Sequence, residues 1–209
     1  FKMMANIKLN ENVLADDGTL NSGTFHQWTP IGVSDSACFA GSLNGNNHTV
    51  GGIYINKTGE TESDKYQGLF GYVKNAVIRN TGVVDSYVKG YEYVGGIVGL
   101  VPFNSSSTVT NCSNTGYVNG IRYVGGVVGG FFGTIANCFN TGRISGRYVG
   151  GIAGQLGGTV TNCQNSGSVT GSNYVGGIAG YLPHNASYNI TDCYNSGSIN
   201  GNEYVGGVV

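Results

Sequence analysis

Side chains capable of acid–base, nucleophilic or metal chemistry are sparse in this chain of 209 residues, and their spacing limits what they can do. The three histidines, His26, His48 and His184, are followed by Gln, Thr and Asn, so the H-E-x-x-H zinc pattern of a metallopeptidase is absent. No G-x-S-x-G stretch marks a nucleophile elbow. No lysine follows a glycine, so the phosphate-loop pattern fails despite 38 glycines. From residue 91 onward the carboxylates are Glu92, Asp192 and Glu203. Glu92 and Glu203 share a repeat position, but four coils would hold them about 19 Å apart, too far for the paired carboxylates of glycoside hydrolysis. Asp16, Asp17, Asp35 and Asp85 are the acids considered for a site before residue 91, and no catalytic spacing links them. The expectation is a chain that is not an enzyme, with no catalytic residues, no metal site and no cofactor.

Cysteine is the one chemistry-bearing residue that recurs. Cys112, Cys138, Cys163 and Cys193 occupy one position of a repeated phrase, and Cys38 stands apart. Zinc spacing such as C-x₂-C is missing. Cysteines stacked on parallel strands keep their β-carbons near the strand spacing, not the ~3.8 Å that a disulfide wants. A ladder of buried free thiols packing as small hydrophobes is favoured over disulfides or a metal.

The elements that set these positions come from two phrases. "YVGGIVG" at Tyr93 returns in near-identical form at Tyr123, Tyr148, Tyr174 and Tyr204, with separations of 30, 25, 26 and 30. "TVTNCSNTGYVNG" from Thr108 has counterparts from Thr134, Thr159 and Asn189. Between the phrases lie connectors, "LVPFNSSS", "GFFG", "QLGG" and "YLPHNASY", whose changing length accounts for most of the variation in period. Constant elements with one elastic loop are the signature of a stacked array. Segments such as "TVT", "YVN", "RIS" and "SIN" alternate apolar and polar residues with period two, and frequent glycine opposes helix. The fold class expected is all-β: a single-stranded right-handed parallel β-helix, a solenoid of about seven coils of roughly 25–30 residues. Residues 1–90 should form first coils with longer loops, and residues 91–209 the repeat coils continuous with them.

Stacking places one repeat position above itself. Val94, Val124, Val149, Val175 and Val205 should form a column; so should Ile97, Val127, Ile152, Ile178 and Val208, and Val118, Ile144, Val169 and Ile199. Asn114, Asn140, Asn165 and Asn195 precede Thr-Gly or Ser-Gly. Their amides can donate to one copy and accept from another, which satisfies polar groups at a buried corner. The glycines should supply corner conformations closed to other residues.

Composition narrows the function classes. Charged residues are 10% and the formal net charge is -1, which offers no basic footprint for nucleic acid. The apolar runs are too short and too broken by glycine to cross a bilayer as helices. The chain opens with "FKMMANIKLN" and ends inside a repeat, so it reads as a piece of a longer protein. Binding, if carried here, should fall on the connectors, which the stack gathers on one side. Their aromatic set, which no repeat rule requires, includes Phe103, Phe131, Phe132 and Tyr181, beside His184. These five are the candidate strip for a ligand or partner, against the plainer expectation that the rings fold back over the core.

"GLFGYV", the repeated "YVGGI[VA]G" and "TNCxNTG" resemble the GLUG-type repeats of large bacterial surface proteins, including amino-terminal regions of some IgA-specific metallopeptidases. "WTPIG" and "FAGSLNGNNHTVGGIYI" resemble the segment that precedes such repeats in gut-bacterial cell-surface proteins. The resemblance covers nearly the whole chain. It implies an extracellular, non-catalytic stalk- or adhesin-like module whose partners are neighbouring domains of the same chain, with host protein or glycan as candidate contacts. The alternative it implies is the accessory, substrate-holding region of a larger secreted peptidase or polysaccharide-acting enzyme.

Overall fold

A computed structural model describes residues 1–209. Its strands form three sheets of eleven, nine and five strands. Every pairing between strands is parallel, and the one helical turn is the 3-10 segment Glu62–Asp64. The chain visits the sheets in rotation. In one coil it runs through Tyr117–Gly125 in the second sheet, Val128–Phe131 in the third, and Thr134–Ala136 with Phe139–Asn140 in the first. This is the parallel β-solenoid that the repeat spacing predicts.

The number of turns is smaller than expected. The third sheet has five strands, Phe70–Tyr72, Val98–Val101, Val128–Phe131, Ala153–Leu156 and Ala179–Tyr181, which gives about five turns instead of seven. At the ~4.8 Å strand spacing the rod is about 24 Å long. The difference lies before residue 42. Residues 9–41 make no strand of the three-sheet cycle. They lie against the coils as loops, touching down through bridges such as Ile31 to Phe70 and Phe39 to Val73. The repeat period, extended over this segment, overcounts.

The apolar columns form as the alternation requires. Val94, Val124, Val149, Val175 and Val205 are register partners. Val118, Ile144, Val169 and Ile199 are too, and Val88 and Ile55 extend that column into the first coils. Ile97, Val127, Ile152, Ile178 and Val208 are linked by successive backbone hydrogen bonds of 2.9–3.1 Å. Apart from Val205 and Val208 of the last turn, which are exposed, and Ile199, which is partly buried against it, these residues belong to one core cluster running from Met3 to Ala179, each fully buried Val or Ile contributing about 1.5–3 kcal/mol.

The corners are built differently from the expectation. None of the phrase glycines has positive φ. Their role is close approach. A Cβ on Gly126 would sit 2.3 Å from the Gly151 carbonyl and 2.4 Å from Asn140 Cγ, and one on Gly129 would sit 2.4 Å from the Tyr93 backbone. The left-handed backbone falls instead on Tyr66, Tyr93, Tyr123, Tyr174 and Tyr204, and on Asn80, Asn111, Asn137, Asn162 and Asp192. Asn and Asp tolerate this region through local hydrogen bonding, but for a bulky tyrosine it is uncommon. The ring contacts described next accompany that backbone at all five positions.

Candidate interaction surface

Three ladders run along the stack, and they decide which side chains remain for contact with anything else. The innermost is asparagine. Asn114 Nδ2 donates to Asn140 Oδ1 (2.9 Å), Asn140 to Asn165 (2.8 Å) and Asn165 to Asn195 (2.7 Å). Each of the first three amides also donates to the carbonyl two residues on. Asn114, Asn140 and Asn165 have no exposed surface, and no side-chain N or O of theirs is left unpartnered. The amides lie in the space that a Cβ on Gly96, Gly126, Gly151 or Gly177 would fill, so the two phrases of the repeat fit each other.

The cysteines stack beside them. The backbone N–H of Cys112 points to Cys138 Sγ (3.4 Å), and that of Cys138 to Cys163 Sγ (3.4 Å). Each thiol donates back to the carbonyl two residues earlier, as Cys138 does to Ala136 (3.3 Å). All five cysteines are free thiols. The Cys112 and Cys163 thiols on either side, with burial, push the Cys138 thiol well up.

The outermost ladder is tyrosine. The rings of Tyr66, Tyr93, Tyr123, Tyr148, Tyr174 and Tyr204 follow one another at 5.8, 5.1, 5.3, 5.4 and 4.7 Å. They cover the outer side of the third sheet: a Cβ on Gly130 would strike the Tyr93 ring at 2.5 Å. That sheet is therefore buried on both faces, as parallel sheets commonly are. Burial pushes the Tyr93 phenol well above its ordinary value. The residue before each ladder tyrosine forms a polar column: Lys65 to Glu92 (3.4 Å), Glu92 to Arg122 (3.5 Å) and Arg147 to Asn173 (3.3 Å). Asn173 in turn donates to Glu203. Arg122 also lies over the Tyr123 ring at 5.3 Å. The tyrosines were visible in the sequence as phrase initials. The column before them was hidden because it mixes Lys, Glu, Arg and Asn instead of repeating a residue.

The five candidate strip residues do not form one surface. Phe131 has no exposure; it ends a third-sheet strand, paired with Val101 and Leu156, so the strand continues into what the sequence suggests is connector. Tyr181 joins the tyrosine ladder, 5.9, 5.9 and 5.4 Å from Tyr123, Tyr148 and Tyr174. Phe132 is half-buried and meets Phe103 edge-on at 5.8 Å. Phe103 is 64% exposed, and His184 is exposed on the last connector. Phe103 and Phe132 are the pair the structure brings together on the outside.

The carboxylates before residue 91 hold local structure. Asp85 accepts the Leu14 N–H (2.9 Å), Asp17 the Thr19 N–H and hydroxyl (2.9 and 2.6 Å), and Asp35 the Lys74 ammonium (2.9 Å). The Thr19 hydroxyl and N–H hold the Asp17 carboxyl below its ordinary range.

With this geometry in view, comparison with known proteins is specific. Residues 145–170 match the family model described as the GLUG motif. Ser145 and Thr170, the first and last residues matched, are register partners in adjacent coils, so the motif is one complete turn of the solenoid. A Gly-rich membrane protein of Evansella cellulosilytica is 33% identical over 87 residues, which is 41% of this chain and 9% of that relative. The 1.30 Å crystal structure of an immunoglobulin A1 protease-like protein from Bacteroides ovatus superimposes with a TM-score of 0.61 at 20% identity, covering 97% of this chain and 70% of that one; at that identity the likeness is one of fold. The chain is a parallel β-solenoid that carries the GLUG motif.

Proposed function

We propose that this chain is a non-catalytic extracellular module that spaces or presents other parts of a longer surface protein, with neighbouring domains of the same chain as its constant partners. The observation that carries this reading is the use of the repeat's polar and titratable groups. Asparagines, cysteines and tyrosines are spent on coil-to-coil ladders, and the carboxylates Asp17, Asp35 and Asp85 on loops. A surface location is supported by the names of the relatives, a Gly-rich membrane protein and an immunoglobulin A1 protease-like protein. No helix here is long and apolar enough to cross a membrane. An adhesin role, contact with host protein or glycan, falls to Phe103 and Phe132. The Bacteroides ovatus likeness favours, as a second reading, the accessory region of a larger secreted peptidase.

The test is turnover by the purified chain on peptide and polysaccharide panels. No turnover is expected. Hydrolysis lost in Asp16→Asn or Asp17→Asn would reverse the proposal.

A further inference from the structure

The first coils carry a feature that the repeat coils lack. Where the loop around residues 27–33 passes the segment 56–67, a cavity of about 670 Å³ opens, within the size range of small-ligand sites. One wall is Trp28. Its backbone N–H donates to the Tyr54 carbonyl (2.8 Å) and its indole Nε1 to the Leu69 carbonyl (3.2 Å). The same indole borders the apolar groove of Met3, Phe39 and Phe70, so it is anchored in apolar packing and also faces the cavity. Tyr66 also lines the cavity; its ring is braced by Tyr93 at 5.8 Å and edge-on by Tyr72 at 5.2 Å.

Around these rings the lining is polar: of twelve residues three are hydrophobic. Gln27 and Asn56 bring carboxamides and Glu62 a carboxylate; Gln27 Oε1 accepts the Asn56 N–H (3.3 Å) and Asn56 Nδ2 donates to the Tyr54 hydroxyl (3.1 Å), which leaves Gln27 Nε2 and Asn56 Oδ1 for a ligand. Gln67, 3% exposed, has an Oε1 with no hydrogen-bond partner, a costly state for a buried acceptor. Lys65 is committed to Glu62 and Glu92. Lys57 makes no ion pair.

Rigid aromatic walls suit a flat apolar face. Amides and a carboxylate at the rim suit groups that both donate and accept, which hydroxyls do. A pyranose combines the two in one ring. A nucleotide would ask for several free cations at its phosphates, and the lining has one. A cation without a partner favours a ligand that brings a carboxylate.

We propose that this cavity is a saccharide-binding site, selective for a sugar residue bearing a carboxylate, with Trp28 as platform and Lys57 as the carboxylate's partner. The proposal shares its ligand class with the adhesin reading above but places the site away from the connectors.

Trp28 is the chain's one tryptophan, so its fluorescence reports the site directly. Glucuronic acid, N-acetylneuraminic acid, glucose and a short neutral peptide would be titrated into the intact chain. The expected result is a saturable change with at least one acidic sugar and a weaker one with glucose. Lys57→Ala should weaken the acidic sugar about tenfold or more, as loss of a charge-assisted contact does, and leave glucose unchanged. Gln27→Ala should weaken both, while Phe103→Ala with Phe132→Ala should change neither. Thermal melts of both site variants should stay close to the parent, since Lys57 makes no ion pair and the exposed Gln27 gives up one long bond from the Asn56 N–H (3.3 Å). No response to any sugar, a response to the peptide alone, equal response to acidic and neutral sugars, or binding indifferent to Lys57→Ala and Gln27→Ala overturns the proposal. Binding abolished by the connector variants alone overturns it in favour of the adhesin strip.

Discussion

The repeat coils and the first coils share one cross-section and fill it differently. In the repeat coils one residue type stands at one level turn after turn: Asn140 on Asn165, Cys138 on Cys163, Tyr123 on Tyr148. In the preceding turn the asparagine and cysteine ladders stop, while the tyrosine ladder continues to Tyr66. Val83 stands in register with Asn114, and the loops of residues 9–41 lie against the coils. Polar groups there find singular partners, such as Asn10 bridging the His26 and Gly52 carbonyls at 3.0 and 2.7 Å. A ladder satisfies its own members by repetition, with Gln155 Oε1 the unpartnered buried acceptor of the repeat coils, and leaves little room for recognition. An irregular coil has loops free to enclose a cavity. On this view the repeats hold distance and the first coils carry specificity.

The sharpest way to break the comparison is to put a charge in the asparagine ladder. Asn140→Asp replaces a donor by an acceptor facing Asn165 Oδ1 and the Gly142 carbonyl. The loss should be about 3–5 kcal/mol, the cost of an uncompensated buried charge. Asn137→Asp, three residues away on the exposed corner where Asp192 stands naturally, should cost under about 1 kcal/mol. Equilibrium urea unfolding of the two variants decides.

Glycines give the next largest contrast. Gly126→Ala forces a methyl against the Gly151 carbonyl and should cost about 1–3 kcal/mol or more. Gly18→Ala in the first loop meets nothing within 4 Å but has φ +76, so it should cost about 1–2 kcal/mol from backbone conformation alone.

Titration should separate the regions on the acid side. Cys138, raised by neighbouring thiols and burial, and Tyr93, raised by burial, have folded values above unfolded ones. Their contribution is full below the ordinary thiol and phenol ranges, about 8.5 and 10, and is lost as pH rises through the folded values. Asp17 and Asp64 are lowered by hydrogen bonds from Thr19 and Thr61. Their contribution is present above about 3.9 and is lost as pH falls through the folded values. Alkali should therefore weaken both regions, since burial also raises the Tyr66 and Tyr72 phenols, and acid should act on the first loops. Urea midpoints across pH, read by Trp28 for the first region and by circular dichroism for the whole, check this. The smallest effect is Phe103→Ala, within about 0.5 kcal/mol, because its ring is mostly exposed.

How far these features could be read in the sequence follows from the same contrast. The columns at Val124, Val118 and Val127, the Asn140 ladder and the Cys138 ladder are legible because stacking writes each structural need as a repeated letter. The left-handed tyrosines are not. A phrase rich in glycine suggests that glycine takes the unusual backbone, whereas the glycines yield space and Tyr93 and Tyr123 take it. Phe131 reads as connector because its partners Val101 and Leu156 differ from it in type. The cavity at Trp28 is invisible to any repeat rule, since it joins residues about thirty apart that occur once.

Amide hydrogen exchange on the intact chain tests the central claim most directly, that the laddered coils form one cooperative block and the first loops do not. The amides of Val127 and Ile152, bonded to the Ile152 and Ile178 carbonyls at 3.1 and 2.9 Å, should exchange only through global unfolding and with one common free energy. Those of residues 22–24, exposed in the first loop, should exchange through local opening orders of magnitude faster. Repeat-coil amides that exchange turn by turn with unequal free energies, or as fast as the loop, would contradict the account.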